Sequence, residues 1–133
     1  MNAGKTIVKD GLFYTDEHEW ARVEGDIAVI GITDHAQKEL RNVVFVELSQ
    51  VGDKLTFGKD FGYVESTKAV NSILSPVSGE VIEVNSKLED TPELVNTDPY
   101  GEGWMVKVRM SNKDELKQLM DANGYSELME KLA

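Results

Sequence analysis

At 133 residues, 41% hydrophobic and 29% charged, the chain is long enough to bury one core unaided, and it has no cysteine for a disulfide, a thiolate metal site or a thiol nucleophile. Its formal net charge of −10, from 14 basic and 24 acidic residues, repels phosphate backbones and anionic membrane surfaces. No apolar run approaches the roughly 20 residues of a membrane span, so neither nucleic acid nor membrane is expected as a partner.

The opening segment "MNAGKTIVKDG" has neither an apolar signal core nor the Arg- and Ser-rich, acid-poor pattern of a transit peptide. The expected location is the cytoplasm, or the mitochondrial matrix for a processed organelle protein. Short strands are predicted over Gly11–Thr15 and Trp20–Gly25, and the Glu24-Gly25-Asp26 cluster then turns the chain into a β-branched strand, Asp26–Thr33. Thr33 is the N-cap of a short helix through "DHAQKELR", with Asp34 in its first turn. "VVFVEL", Val43–Leu48, is almost continuously apolar and predicts a strand buried on both faces.

Gly52-Asp53 and Gly58-Lys59-Asp60 mark turns. "FGYVES" and "AVNSIL" are both strand-like, and local propensity joins them into one strand through Thr67-Lys68. Glu80–Asn85 is a clear strand after "SPVSG". Thr91 as N-cap and Pro92 at the first position predict a further helix, Asp98–Gly103 an irregular turn and Trp104–Met110 the last strand. Beyond Ser111 the period becomes helical: Leu116, Leu119 and Met120 share one face, Leu128, Met129 and Leu132 another, and Gly124 separates two helices. Strands first and helices last describe a β-sandwich or barrel with appended helices.

No Gly-rich phosphate loop, paired metal-ligand spacing or nucleophile elbow is present. The histidines are His18 and His35, and "DEHEW" gathers carboxylates around His18. That cluster admits a divalent cation or acid–base chemistry, and equally a solvated turn. A chain without its own reactive constellation points to a carrier whose chemistry sits on an attached group. Lys68 suits that role. Its amine can be acylated, and small Ser66, Thr67 and Ala69 leave it unobstructed. The rival reading is an ordinary exposed lysine.

"VESTKA" resembles the lipoyl-attachment motif, with Glu65 three before the lysine and Ala69 after it. More widely, "HEW", "GITDHAQ", "VVFVEL", "FGYVESTKAV", "SPVSGEVIEVN", "PELVN" and "DPYGEGW", in that order, resemble the H-protein family of the glycine cleavage system. Gly79 also falls where lipoyl domains have a glycine. The resemblance implies a mainly β fold, a lipoyl/biotinyl-type barrel-sandwich hybrid of two antiparallel sheets with a short internal helix and C-terminal helices. It implies one lipoyl-carrier domain over 1–133, with a core of about 12–110 and a helical extension of about 112–132.

It further implies a non-catalytic, monomeric shuttle with covalent lipoate on Lys68, in an attachment motif of Glu65, Thr67 and Ala69, and no metal. Glu19 corresponds to the family carboxylate that docks the loaded arm in a cleft. The implied partners are a pyridoxal-phosphate glycine decarboxylase, a tetrahydrofolate-dependent aminomethyltransferase, dihydrolipoyl dehydrogenase and lipoate-attaching enzymes. Biotin carriers place methionine on both sides of their lysine, unlike Thr67 and Ala69 here. Arg41-Asn42 and Ser72 depart from the family pattern, with Asn42 expected to cap the helix. Two other carrier-site readings remain: a lipoate relay to 2-oxo-acid dehydrogenases or a specialised modification system, and an adaptor with an unmodified lysine.

Overall fold

The computed structural model describes residues 6–132. Among the described residues nine strands form two antiparallel sheets. The larger holds β1 (Phe13–Tyr14), β2 (Glu19–Glu24), β3 (Ile27–Ile32), β5 (Lys54–Leu55), β8 (Gly79–Val84) and β9 (Val106–Met110), in the order β1-β2-β3-β9-β8-β5. The smaller holds β4 (Val43–Leu48), β6 (Asp60–Ser66) and β7 (Val70–Leu74), in the order β4-β6-β7. The sheets enclose a core that includes Ile30, Val64, Ile73, Val81 and Val108, each at most 2% exposed. Burial of this apolar surface is the main force holding the layers together. This is the two-sheet sandwich with helices that the sequence implied.

Local chemistry explains several joints. Gly25 turns β2 into β3 at φ 65°, the left-handed backbone that glycine adopts without a Cβ penalty. Thr33 caps α1 (Asp34–Leu40) as expected, its hydroxyl accepting from the Ala36 N–H at 3.2 Å. Gly79 fits because a Cβ there would run into the Arg109 carbonyl of the neighbouring strand. Trp20 is fully buried, and its indole N–H donates to the carbonyls of Ile32 and Pro99 at 2.9 and 3.1 Å.

Four expectations need correction. First, β4 is covered on one side only: Val43 and Val46 are buried, whereas Val44 and Phe45 are 50% and 43% exposed. A bulge between Val43 and Phe45 puts one residue out of step, and β4 lies at the edge of a sheet with an open outer face. Second, α1 is closed by Arg41 at φ 69°, not by Asn42. Third, Thr91 does not cap a helix with its side chain. It ends α2 (Lys87–Asp90), which the sequence reading missed, and α3 (Leu94–Thr97) begins after Glu93.

Fourth, Gly124 does not divide two helices. It lies within α4 (Ala122–Leu132), where its N–H donates to the Asp121 carboxylate at 2.8 Å. The break comes at Leu119–Asp121, between a 3-10 helix (Lys113–Gln118) and α4. There Met120 exchanges two backbone hydrogen bonds of 2.8 Å with Tyr14, tying the C-terminal segment to β1.

Candidate functional site

Lys68 stands at the tip of the β6–β7 hairpin, with Thr67, Lys68, Ala69 and Val70 all exposed. The turn is built around Ser66. Its N–H donates to the Ala69 carbonyl at 2.8 Å, and its buried hydroxyl oxygen accepts from the N–H groups of Lys68 and Ala69 at 3.1 and 3.0 Å. A serine side chain thus does what a glycine turn would otherwise do, by hydrogen-bonding its own backbone two and three residues on. Sequence reasoning treated Ser66 only as small. The serine ahead of the lysine was the missed signal.

The tip is also braced from outside. The Thr67 N–H donates to the Asn42 carbonyl at 3.0 Å. Asn96 of α3 holds the loop around Asn42, accepting from the Val43 N–H at 2.8 Å and donating to the Arg41 carbonyl at 2.7 Å and the Gln37 amide at 3.0 Å. The Lys68 ammonium donates to the Glu39 carbonyl at 3.2 Å, at the C-terminal turn of α1. Glu65 lies on the outer sheet face in register with Phe45 and Val70.

Beside the tip runs a groove of about 330 Å³ between α1, β7 and the turn before β2. Ile32, Leu40, Val64 and Ile73 give it apolar walls, while Glu17, Glu39, Lys68 and Ser72 also line it. Glu19 is also among its lining residues and is 3% exposed. Its two oxygens accept from the Thr15 hydroxyl at 2.6 Å and the Leu74 N–H at 3.1 Å. Burial lifts its carboxyl to about 7, with Glu17 and Asp16 adding to the shift and the two hydrogen bonds opposing it. Glu19 is thus a buried carboxylate rather than part of the exposed turn before it.

The remainder of "DEHEW" divides. Asp16 and Glu17 lie in an exposed turn, whereas the His18 Nδ1 meets the Tyr125 hydroxyl of α4 at 2.9 Å. That hydroxyl also meets the Thr33 hydroxyl at 2.8 Å, and the His18 and His35 rings lie 4.4 Å apart. Burial and the neighbouring His35 hold the His18 imidazole below its ordinary value. Among the described residues no group of three or more His, Cys, Asp or Glu could hold a metal ion.

The family model described as glycine cleavage H-protein matches residues 12–132. A curated glycine cleavage system H protein of Carboxydothermus hydrogenoformans is 50% identical over 94% of this chain and 96% of its own length. That of Rubrobacter xylanophilus is 59% identical over 82% of this chain and 86% of its own. A mitochondrial one of Flaveria pringlei is 53% identical over 92% and 76%. The crystal structure of a glycine cleavage system H protein from Mycobacterium marinum superposes with a TM-score of 0.82 at 35% identity, over 91% of this chain and 98% of that one. The hairpin, the groove and the sheet order thus sit in a chain that belongs to the glycine cleavage H-protein family.

Proposed function

We propose that the chain is the lipoyl shuttle of the glycine cleavage system, a non-catalytic carrier, with lipoate joined in amide linkage to Lys68. The observation that carries the residue assignment is the hairpin tip: an exposed lysine on a braced turn, beside a groove lined in part by a buried glutamate. The site fits the group. Thr67 and Ala69 are small and exposed, so an acylating enzyme meets no side-chain barrier, and Lys68 itself lines the groove.

A lipoyl group held on Lys68 would supply a dithiolane, the redox-active acceptor for the aminomethyl group of glycine. The chain's own residues do the rest. Ser66 and Asn42 fix the direction in which the arm leaves the body. The apolar walls of the groove exclude water from a docked arm. Glu19 offers an acceptor to a cationic amine, and the approach of that charge favours its ionised form.

The partners of this reading are the glycine decarboxylase, the aminomethyltransferase, dihydrolipoyl dehydrogenase and a lipoate-attaching enzyme. It places a monomer in the cytoplasm or, for an organelle protein, the mitochondrial matrix. The whole chain acts as one carrier domain, with Glu65, Thr67 and Ala69 as the attachment motif. The names of the relatives favour glycine cleavage over a lipoate relay.

Intact mass and peptide mapping of protein from its native source test the assignment. A lipoyl increment on the peptide containing Lys68 is expected. Lys68→Arg should keep its melting temperature, as exposed substitutions do, and lose glycine-dependent carbon dioxide exchange. Retained exchange would show that another residue carries the arm.

A further inference from the structure

The outer face of the β4-β6-β7 sheet is open. Phe45, Glu65 and Val70 align across it in one row, and Glu47, Tyr63 and Ser72 in the next. Phe45, Tyr63 and Val70 are 43%, 36% and 63% exposed, and the Phe45 and Tyr63 rings stand 6.0 Å apart. Exposed apolar side chains are ordinary singly, but a cluster across adjacent strands marks an interaction surface. Phe45 and Glu47 also border a groove of about 670 Å³ between β4 and α2. Glu47, Glu89 and Asp90 line that groove and, among the described residues, no basic one does.

We propose that this face, with its acidic groove, is the docking surface for the enzyme that acylates Lys68. That enzyme would present an apolar ledge to Phe45, Tyr63 and Val70 and basic side chains to Glu47, Glu89 and Asp90. The inference rests on the reading of Lys68 as the attachment site.

The choice of partner follows from reach. Before acylation the acceptor amine is only a lysine stem away from the hairpin backbone. The acylating enzyme must therefore bring the mouth of its own site against the tip and the surface beside it. Val70 is that surface, on the strand that leaves the tip, and Phe45 stands in its row. Enzymes that act on the loaded arm meet its far end and can stand off from the sheet. The acidic groove supplies the second half of the match, since complementary charge steers encounter and fixes register.

The test is steady-state lipoylation of the full apo chain by a purified lipoate ligase with lipoate and ATP, read by intact mass. Two variants probe the face: Phe45→Thr/Tyr63→Thr/Val70→Thr, which keeps β-propensity, and Glu47→Lys/Glu89→Lys. Glu24→Gln, on the other sheet, is the control. Each face variant should raise the KM for the protein about tenfold with kcat little changed. The penalty of the charge variant should shrink with added salt. Should the triple variant melt early, the charge variant decides.

Wild-type KM in the folded face variants overturns the docking proposal, and leaves the Lys68 reading intact if Lys68→Arg remains unmodified. Loss confined to glycine-dependent exchange also overturns it, and assigns the face to the cleavage enzymes. A wild-type dimer that the triple variant dissolves overturns it in favour of a second copy of the chain. Wild type that takes up no lipoate at Lys68 overturns both readings together.

Discussion

The backbone N–H of Thr67 donates to the carbonyl of Asn42 at 3.0 Å, so the β6–β7 tip is tied to the loop that follows α1. Asn42 in turn sits between Arg41 and Val43, both hydrogen-bonded to the Asn96 side chain. The aim of Lys68 thus depends on a residue of α3 far along the chain. Asn96→Ala removes hydrogen bonds to three partners and leaves the Val43 N–H and Arg41 carbonyl without this neighbour. A loss of about 1–3 kcal/mol is expected, read as a lower urea midpoint at unchanged slope. Faster amide exchange at Thr67 should accompany it. Unaltered exchange there would separate Asn96 from the tip.

Arg41 ends α1 at φ 69° and ψ −148°, a backbone region that glycine occupies freely and other residues only under strain. Arg41→Gly should raise stability by about 1 kcal/mol, the strain relieved exceeding the added freedom of the unfolded chain. A thermal melt measures it. A lower melting temperature would mean that the Arg41 side chain contributes more than its backbone costs.

Glu19 gives the fold a pH dependence of definite sign. Its carboxyl ionises near 4.5 in the unfolded chain and near 7 in the folded one, so between those values the folded state holds the additional proton. Stability should therefore decline as pH rises from 4.5 through 7. The full penalty is on the order of 3 kcal/mol at pH 8. Glu19→Gln keeps an acceptor for the Leu74 N–H without the charge, and should flatten the profile. Urea unfolding at pH 5 and pH 8 measures both proteins; equal pH slopes would exclude Glu19 as the source.

Much of the framework was legible in local chemistry. The Gly25 turn and the Thr33 cap fix the β2–β3–α1 stretch with interactions between near neighbours, which a sequence reveals directly. What escaped was set by distant parts of the chain. "VVFVEL" gives no sign that one side of β4 has nothing packed on it, because that depends on the position of β4 at a sheet edge. Glu19 is polar and next to Trp20, and only its encounter with Leu74, on a strand of the other sheet, shows it to be buried. The attachment hairpin lies between these cases. Its turn is local, but Ser66 makes it with side-chain bonds that the glycine-based turn rules do not register.

The Lys68–Glu39 contact has a consequence for handling the protein. In the unmodified chain the ammonium rests against the C-terminal end of α1, where the carbonyls concentrate negative charge. Amide formation would remove that cation, take the formal charge from −10 to −11, and free the stem from its resting place. Unmodified and acylated chains should then elute separately on an anion-exchange column, the acylated one at higher salt. A chromatogram of freshly isolated protein would report the extent of loading before any assay is run.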